Sequence, residues 1–157
     1  LNVEFTPELK WAYDRAAALC ARVETCAADL LKKLKAWKLA EEEVSAVIER
    51  LRSDGFLDDE RFASAYVKDK FRFNGWGKRK ILYMLRSKSI APEILEAAFA
   101  EIGDGAFSEK LRKLMVEKAK HIKGRDPYEK RARLVRFALS RGFDLDEVNA
   151  LLDEMEL

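Results

Sequence analysis

Residues 81–102 read ILYMLRSKSIAPEILEAAFAEI, and this stretch decides the fold. Ile81, Leu82 and Leu85 share one face of a helix, because spacings of three and four residues recur on one side at 3.6 residues per turn. Ile90 then stands alone before Leu95, Ala98, Phe99 and Ile102, which mark the apolar face of a second helix. The reading is helix, tight turn, helix, with Ile90 plugging the turn. The same pattern occurs twice more. From a plug at Leu39, apolar residues follow at +5, +8, +9 and +12: Val44, Val47, Ile48 and Leu51. From Phe143 the same offsets hold Val148, Leu151, Leu152 and Met155. Behind the first plug stand Leu30, Leu31 and Leu34, and behind the third Leu134, Val135 and Ala138. Successive plugs lie 51 and 53 residues apart. An acid follows each plug by three residues (Glu42, Glu93, Asp146), in the first helical turn, where it suits the positive end of the helix dipole.

Working outward, a further helix precedes each pair. It spans about Pro7 to Arg22 in the first unit, with Pro7 suited to a first turn. In the second it spans about Asp59 to Phe73, with Phe62, Tyr66 and Phe73 on one stripe. In the third it spans about Ser108 to His121, with Leu111, Leu114 and Met115 inward. Gly55, Gly75 with Gly77, Gly103 with Gly105, Gly124 and Gly142 mark stops. No period-two run competes. The expected fold is all-α: three tandem three-helix repeats in an elongated, curved arrangement, over residues 1–57, 58–106 and 107–157.

Composition agrees with a folded helical chain. Of 157 residues, 48% are hydrophobic and 37% charged, which excludes collagen and wholesale disorder. No apolar run reaches the length of a membrane span, and Leu1 to Lys10 lacks the basic start and apolar core of a signal peptide. A cytoplasmic protein is expected. Cys20 and Cys26 flank a helix-to-helix turn and read as reduced thiols rather than a disulfide framework. With His121 they fall short of a zinc site. No nucleophile–base pair or cofactor loop stands out, so no enzyme, catalytic residue, metal or cofactor is expected. Asn74-Gly75-Trp76-Gly77-Lys78 is not a phosphate cradle. Asp58 reads as a helix N-cap, with Asp59 and Glu60 in the first turn.

Charge is segregated. Lys68 to Lys88 holds eight Lys/Arg against one acid, and Glu109 to Arg141 holds twelve against four. The remainder carries ten against twenty-three. Opposed patches of this kind favour docking to a charged macromolecule. On a helix from Lys78 to Lys88, Arg79, Tyr83 and Arg86 point away from Ile81, Leu82 and Leu85. Arg133 and Arg136 likewise point away from the apolar face of the third unit. Trp11, Trp37 and Trp76 sit near helix ends or unit junctions and are expected to be at least partly buried.

Four segments resemble one family. Gly55-Phe56-Leu57-Asp58-Asp59-Glu60-Arg61-Phe62-Ala63 resembles the central signature of the RecX family of bacterial regulatory proteins. Gly75-Trp76-Gly77-Lys78-Arg79-Lys80-Ile81 is similar to its second signature. Arg136-Phe137 with Arg141-Gly142-Phe143 is similar to its C-terminal pattern. Asp29-Leu30 with Lys32-Lys33-Leu34 stands at the place of its early acidic motif. The first two units depart from the family by carrying Lys38 and Ser89 where glycine often precedes the plug, and remodelled turns are expected there.

The resemblance implies a regulator that binds the RecA recombinase and its filament on single-stranded DNA; with no long coiled-coil seam in the sequence, a monomer is expected. Such a regulator modulates, and mainly inhibits, recombinase, ATPase and coprotease activities in DNA repair, recombination and the SOS response. The residues assigned to contacts with RecA or with DNA, single- or double-stranded, are Arg72, Lys78, Arg79, Lys80, Arg86, Lys130, Arg133, Arg136 and Arg141. Arg141 lies close to the buried stripe and has a second reading as a cap on helix carbonyls. The alternatives are an autonomous helical nucleic-acid-binding protein and a structural repeat module for another partner.

Overall fold

The computed structural model describes residues 4–123 and 126–155; the stop assigned to Gly124 lies outside these. The described residues form α1 (Pro7–Arg22), α2 (Ala27–Ala36), α3 (Glu41–Ser53), α4 (Asp59–Asp69), a π-helical turn (Lys70–Asn74), α5 (Lys78–Ser87), α6 (Pro92–Ala100), α7 (Ala106–His121), α8 (Pro127–Ser140) and α9 (Leu145–Glu154). There is no strand among them. Pro7 and Asp58 stand at helix starts as expected, and the structure adds Thr6 and Asp126 as caps. Thr6 Oγ1 accepts from the Leu9 amide ahead of Pro7, and Asp58 Oδ1 accepts from the Arg61 amide. Asp126 caps α8 through the Tyr128 amide. Each such cap satisfies a backbone donor that the helix itself leaves free.

Three hydrophobic clusters follow the three copies of the pattern. The first gathers Leu9, Leu30, Leu34, Val44, Val47 and Leu51. The second gathers Phe62, Val67, Ile81, Leu85, Ile90, Leu95 and Phe99. The third gathers Leu111, Met115, Leu134, Phe143, Val148 and Leu152. The closest helix pairings, such as α1 with α3, α4 with α6 and α8 with α9, fall within one unit. The chain is therefore a row of small cores. Its accessible surface of 10244 Å² exceeds the ~8,100 Å² expected of a compact monomer of this mass, as an elongated body requires.

Three expectations are corrected. Lys38 and Ser89 do not remodel their turns: they adopt left-handed φ of 61° and 60°, in the region that Gly142 occupies at 95°. The continuous helix to Phe73 breaks at Asp69 into the π-helical turn. Its wider winding swings Phe73 off the inner stripe, so Phe73 is 82% exposed while Phe71 packs on Phe107 at 4.9 Å. Trp11 is not partly buried but 55% exposed. Trp37 and Trp76 are half-buried.

Candidate interaction surface

The sequence motifs meet at the joints between units. At the first joint, Arg61 extends from α4 to Glu24 beyond the end of α1, with Nε 2.6 Å from Oε1, and its Nη2 donates to the carbonyls of Gly55 and Phe56. Asp29 of α2 accepts two hydrogen bonds from Lys88 Nζ, at 2.9 and 2.7 Å. Cys26, buried at the start of α2, packs into the second core. Burial pushes both the Cys20 and Cys26 thiols up, which keeps them protonated.

The second joint is built from backbone. The Gly77 amide donates to the Arg141 carbonyl at 2.6 Å, and the Arg79 amide to the Gly142 carbonyl at 3.1 Å. The amino end of α5 thus faces the carboxyl end of α8, with opposite partial charges in register. The approach leaves no room for side chains. A Cβ on Gly77 would stand 2.5 Å from the Gly142 carbonyl oxygen, and one on Gly142 would stand 2.3 Å from Lys80 Cβ.

These joints sort the nine assigned cations. Arg141 Nη1 donates to the Asn74 carbonyl at 2.7 Å, capping the π-helical turn of the neighbouring unit. Lys80 lies half-buried with Nζ 4.5 Å from the Trp76 ring centre and donates to the Ser140 carbonyl. Both are committed to the second joint. Arg133 pairs with Glu129 one turn away on α8, at 2.9 Å. Arg79 is exposed and makes a loose pair with Asp144 at 3.7 Å. Arg72, Lys78, Arg86 and Arg136 are exposed and Lys130 is half-buried; none of these five has an ion-pair partner among the described residues.

Lys78 and Arg86 come together. With Leu82 they form an i, i+4, i+8 stripe along one wall of a groove of about 500 Å³, closed on the other side by Leu95, Phe99 and Phe107, with the carboxylates Glu96 and Asp104 also in its lining. Lys78 and Leu82 also line an adjoining groove with Arg79 and Asp144. Lys130, Arg133 and Arg136 lie on α8 and line neither groove. Sequence reasoning missed the exposed aromatics Phe73, at the end of the π-helical turn, and Tyr128, in the first turn of α8. Helical periodicity marks burial and does not flag a lone outward ring. Tyr83, placed outward, is 71% exposed.

The same motifs relate the chain to known proteins. Residues 58–98 match the family model described as RecX, second three-helix domain, and residues 108–152 match that of the third three-helix domain. A regulatory protein RecX from Chlorobium phaeobacteroides is 30% identical over 146 residues, covering 93% of this chain and 94% of that protein. One from Vibrio vulnificus is 29% identical and covers 98% and 99%. The crystal structure of RecX from Lactobacillus salivarius superposes with a TM-score of 0.79 over 94% of this chain and 96% of that one, at 21% identity. A second RecX crystal structure reaches 0.82 over 92% of this chain and 73% of that one. Matched by family models over its second and third three-helix domains and by relatives along nearly its whole length, the chain belongs to the RecX family of regulatory proteins.

Proposed function

We propose that this protein binds a RecA recombinase and its filament on single-stranded DNA and restrains the filament's ATPase, recombinase and coprotease activities. The observation that carries the reading is kinship along nearly the whole chain to proteins named as regulators, in a chain two of whose unpaired cations, Lys78 and Arg86, line a groove at a unit joint. An elongated row of units suits a repeating partner, because it presents charged surface over a span longer than one compact domain. The contact residues are Lys78, Arg79 and Arg86 on α5, with Arg72 beside them in sequence and Lys130, Arg133 and Arg136 on α8. Lys80 and Arg141 act by holding the second joint rather than by touching a partner. The protein works as a cytoplasmic monomer without metal or cofactor. No helix among the described residues is long and apolar enough to cross a membrane.

The test is RecA ATP hydrolysis on single-stranded DNA with substoichiometric amounts of this protein. The parent inhibits at ratios too low to coat the DNA. The double variant Lys78→Glu/Arg86→Glu needs roughly tenfold more protein for half-inhibition, the effect of losing two contacts of about 0.7 kcal/mol each. Absence of any effect of the parent on RecA, together with tight salt-sensitive DNA binding, overturns the reading in favour of an autonomous nucleic-acid binder.

A further inference from the structure

The basic surfaces of the second and third units leave one chemical cluster unused, on the first unit. Trp11 of α1 and Trp37, the residue that ends α2, stand with ring centres 5.8 Å apart and planes tilted by 59°. The Arg15 guanidinium carbon lies 5.3 Å from the Trp11 ring centre and 4.7 Å from that of Trp37. Arg15 follows Trp11 by one helical turn, so its contact with Trp11 is local and that with Trp37 ties α1 to α2. The guanidinium holds both rings in place, and the tilt keeps them from covering each other face to face. Trp11 remains 55% exposed.

The surroundings indicate what such an exposed ring meets. Lys10 adjoins Trp11 in sequence, and Lys35 and Lys38 bracket Trp37. These three and Arg15 are all exposed, and none pairs with a carboxylate among the described residues. Glu8 and Asp14 oppose them from α1, and Glu41, Glu42 and Glu43 from the first turn of α3, where Glu41 lines one groove with Lys35. Aromatic faces accompanied by exposed cations that make no ion pair match the two chemistries of an unpaired polynucleotide: a flat base that stacks, and a phosphate that seeks positive charge. An apolar protein partner would use the rings and leave four cations unanswered.

We propose that Trp11, Arg15 and Trp37 form a stacking platform for a base of single-stranded nucleic acid, with Lys10, Lys35 and Lys38 meeting the flanking phosphates. The site lies on a different unit from the α5 groove and stands whether or not the chain regulates a recombinase.

The experiment uses the full chain and a fluorescein-labelled 20-nucleotide oligothymidylate, without recombinase, at low salt. Polarisation gives the affinity, and intrinsic tryptophan fluorescence reports stacking directly. The parent binds with tryptophan quenching. Trp11→Ala weakens binding roughly tenfold or more, as loss of a stacked base predicts, while Trp11→Phe retains most of the affinity. Because Trp11 is exposed, circular dichroism melts of both variants match the parent. Three results overturn the proposal: no binding by the parent, equal affinity of parent and Trp11→Ala, or binding without quenching. If Trp11→Ala binds the oligonucleotide normally yet fails to inhibit RecA ATP hydrolysis, the cluster is a protein contact and the proposal falls while the regulatory reading stands.

Discussion

Lys38, Ser89 and Gly142 occupy one position of the repeat and show how differently one backbone conformation is tolerated. Each takes a left-handed φ just before its plug residue. For Lys38 and Ser89 the Cβ strain costs on the order of 1–2 kcal/mol, which the buried plug and helix faces outweigh. Ser89→Gly is expected to raise stability by about 1 kcal/mol, seen as a melting point a few degrees higher by circular dichroism. Gly142→Ala is expected to lower it by about 2 kcal/mol or more, since the new methyl meets Lys80 and parts the second joint. Gly55→Ala is the control: φ there is also positive, at 82°, but nothing stands within 4 Å of the added Cβ. Equal losses at Gly55 and Gly142 would refute the packing argument. The motif residues Gly77 and Gly142 were visible in the sequence as turn glycines. That the two turns face each other was not, because a turn signal carries no information about a partner some sixty residues away.

At the scale of elements, the chain is held together by what its helix ends do. Asp29 in the first turn of α2 and Lys88 at the end of α5 join the first two units. Burial resists the charge on Asp29, but the hydrogen bonds and charge of Lys88 outweigh it and hold the carboxyl below its usual range. Burial likewise opposes the Lys88 charge, and Asp29 overrides it and holds the ammonium above its usual value. A carboxyl depressed on folding adds stability above its unfolded pKa of about 3.9 and loses it as pH falls through the lower folded value. Asp29→Asn is therefore expected to cost about 1 kcal/mol at neutral pH, reduced from the cost of a fully buried pair by the exposure of Asp29, and to flatten the acid limb of the stability curve. Urea melts from pH 2 to pH 7 read both effects, and parallel curves for parent and variant would exclude the pair as a source of stability. The inner faces of these helices were legible from period alone, down to the plugs Leu39, Ile90 and Phe143. Phe73 was misplaced because a π-helical turn adds a residue per turn and shifts the phase of everything after it.

For the whole molecule, the consequence of three separate cores is shape. A compact protein of this length has a radius of gyration of about 15 Å. Small-angle scattering of this chain is expected to exceed that value clearly, and a value at 15 Å would mean that the units fold back on one another. Shape and charge act together here. On the proposed filament binding, cations spread along a long body would reach several subunits of a repeating partner, whereas the same number on a sphere would reach one.

What the sequence determined by itself was local or periodic: the nine helices among the described residues, their inward faces apart from Phe73, the threefold repetition and the Asp58 cap. The helices, faces and cap depend on residues within a dozen positions of one another, and the repetition is a pattern that recurs along the chain, so chain order is enough to read them. Only the tertiary structure decided which cations are available. Lys80 looks as free in the sequence as Lys78 and Arg86, yet it bonds to the Ser140 carbonyl across the second joint; Arg141 read in the sequence as a partner contact or as a carbonyl cap, and its bond to the Asn74 carbonyl decides for the cap. Trp11, Arg15 and Trp37 likewise became one cluster only when α1 met α2. The physical reason is that a charge or a ring is defined by its neighbours in space, and contacts between units separated by one repeat leave no period in the chain.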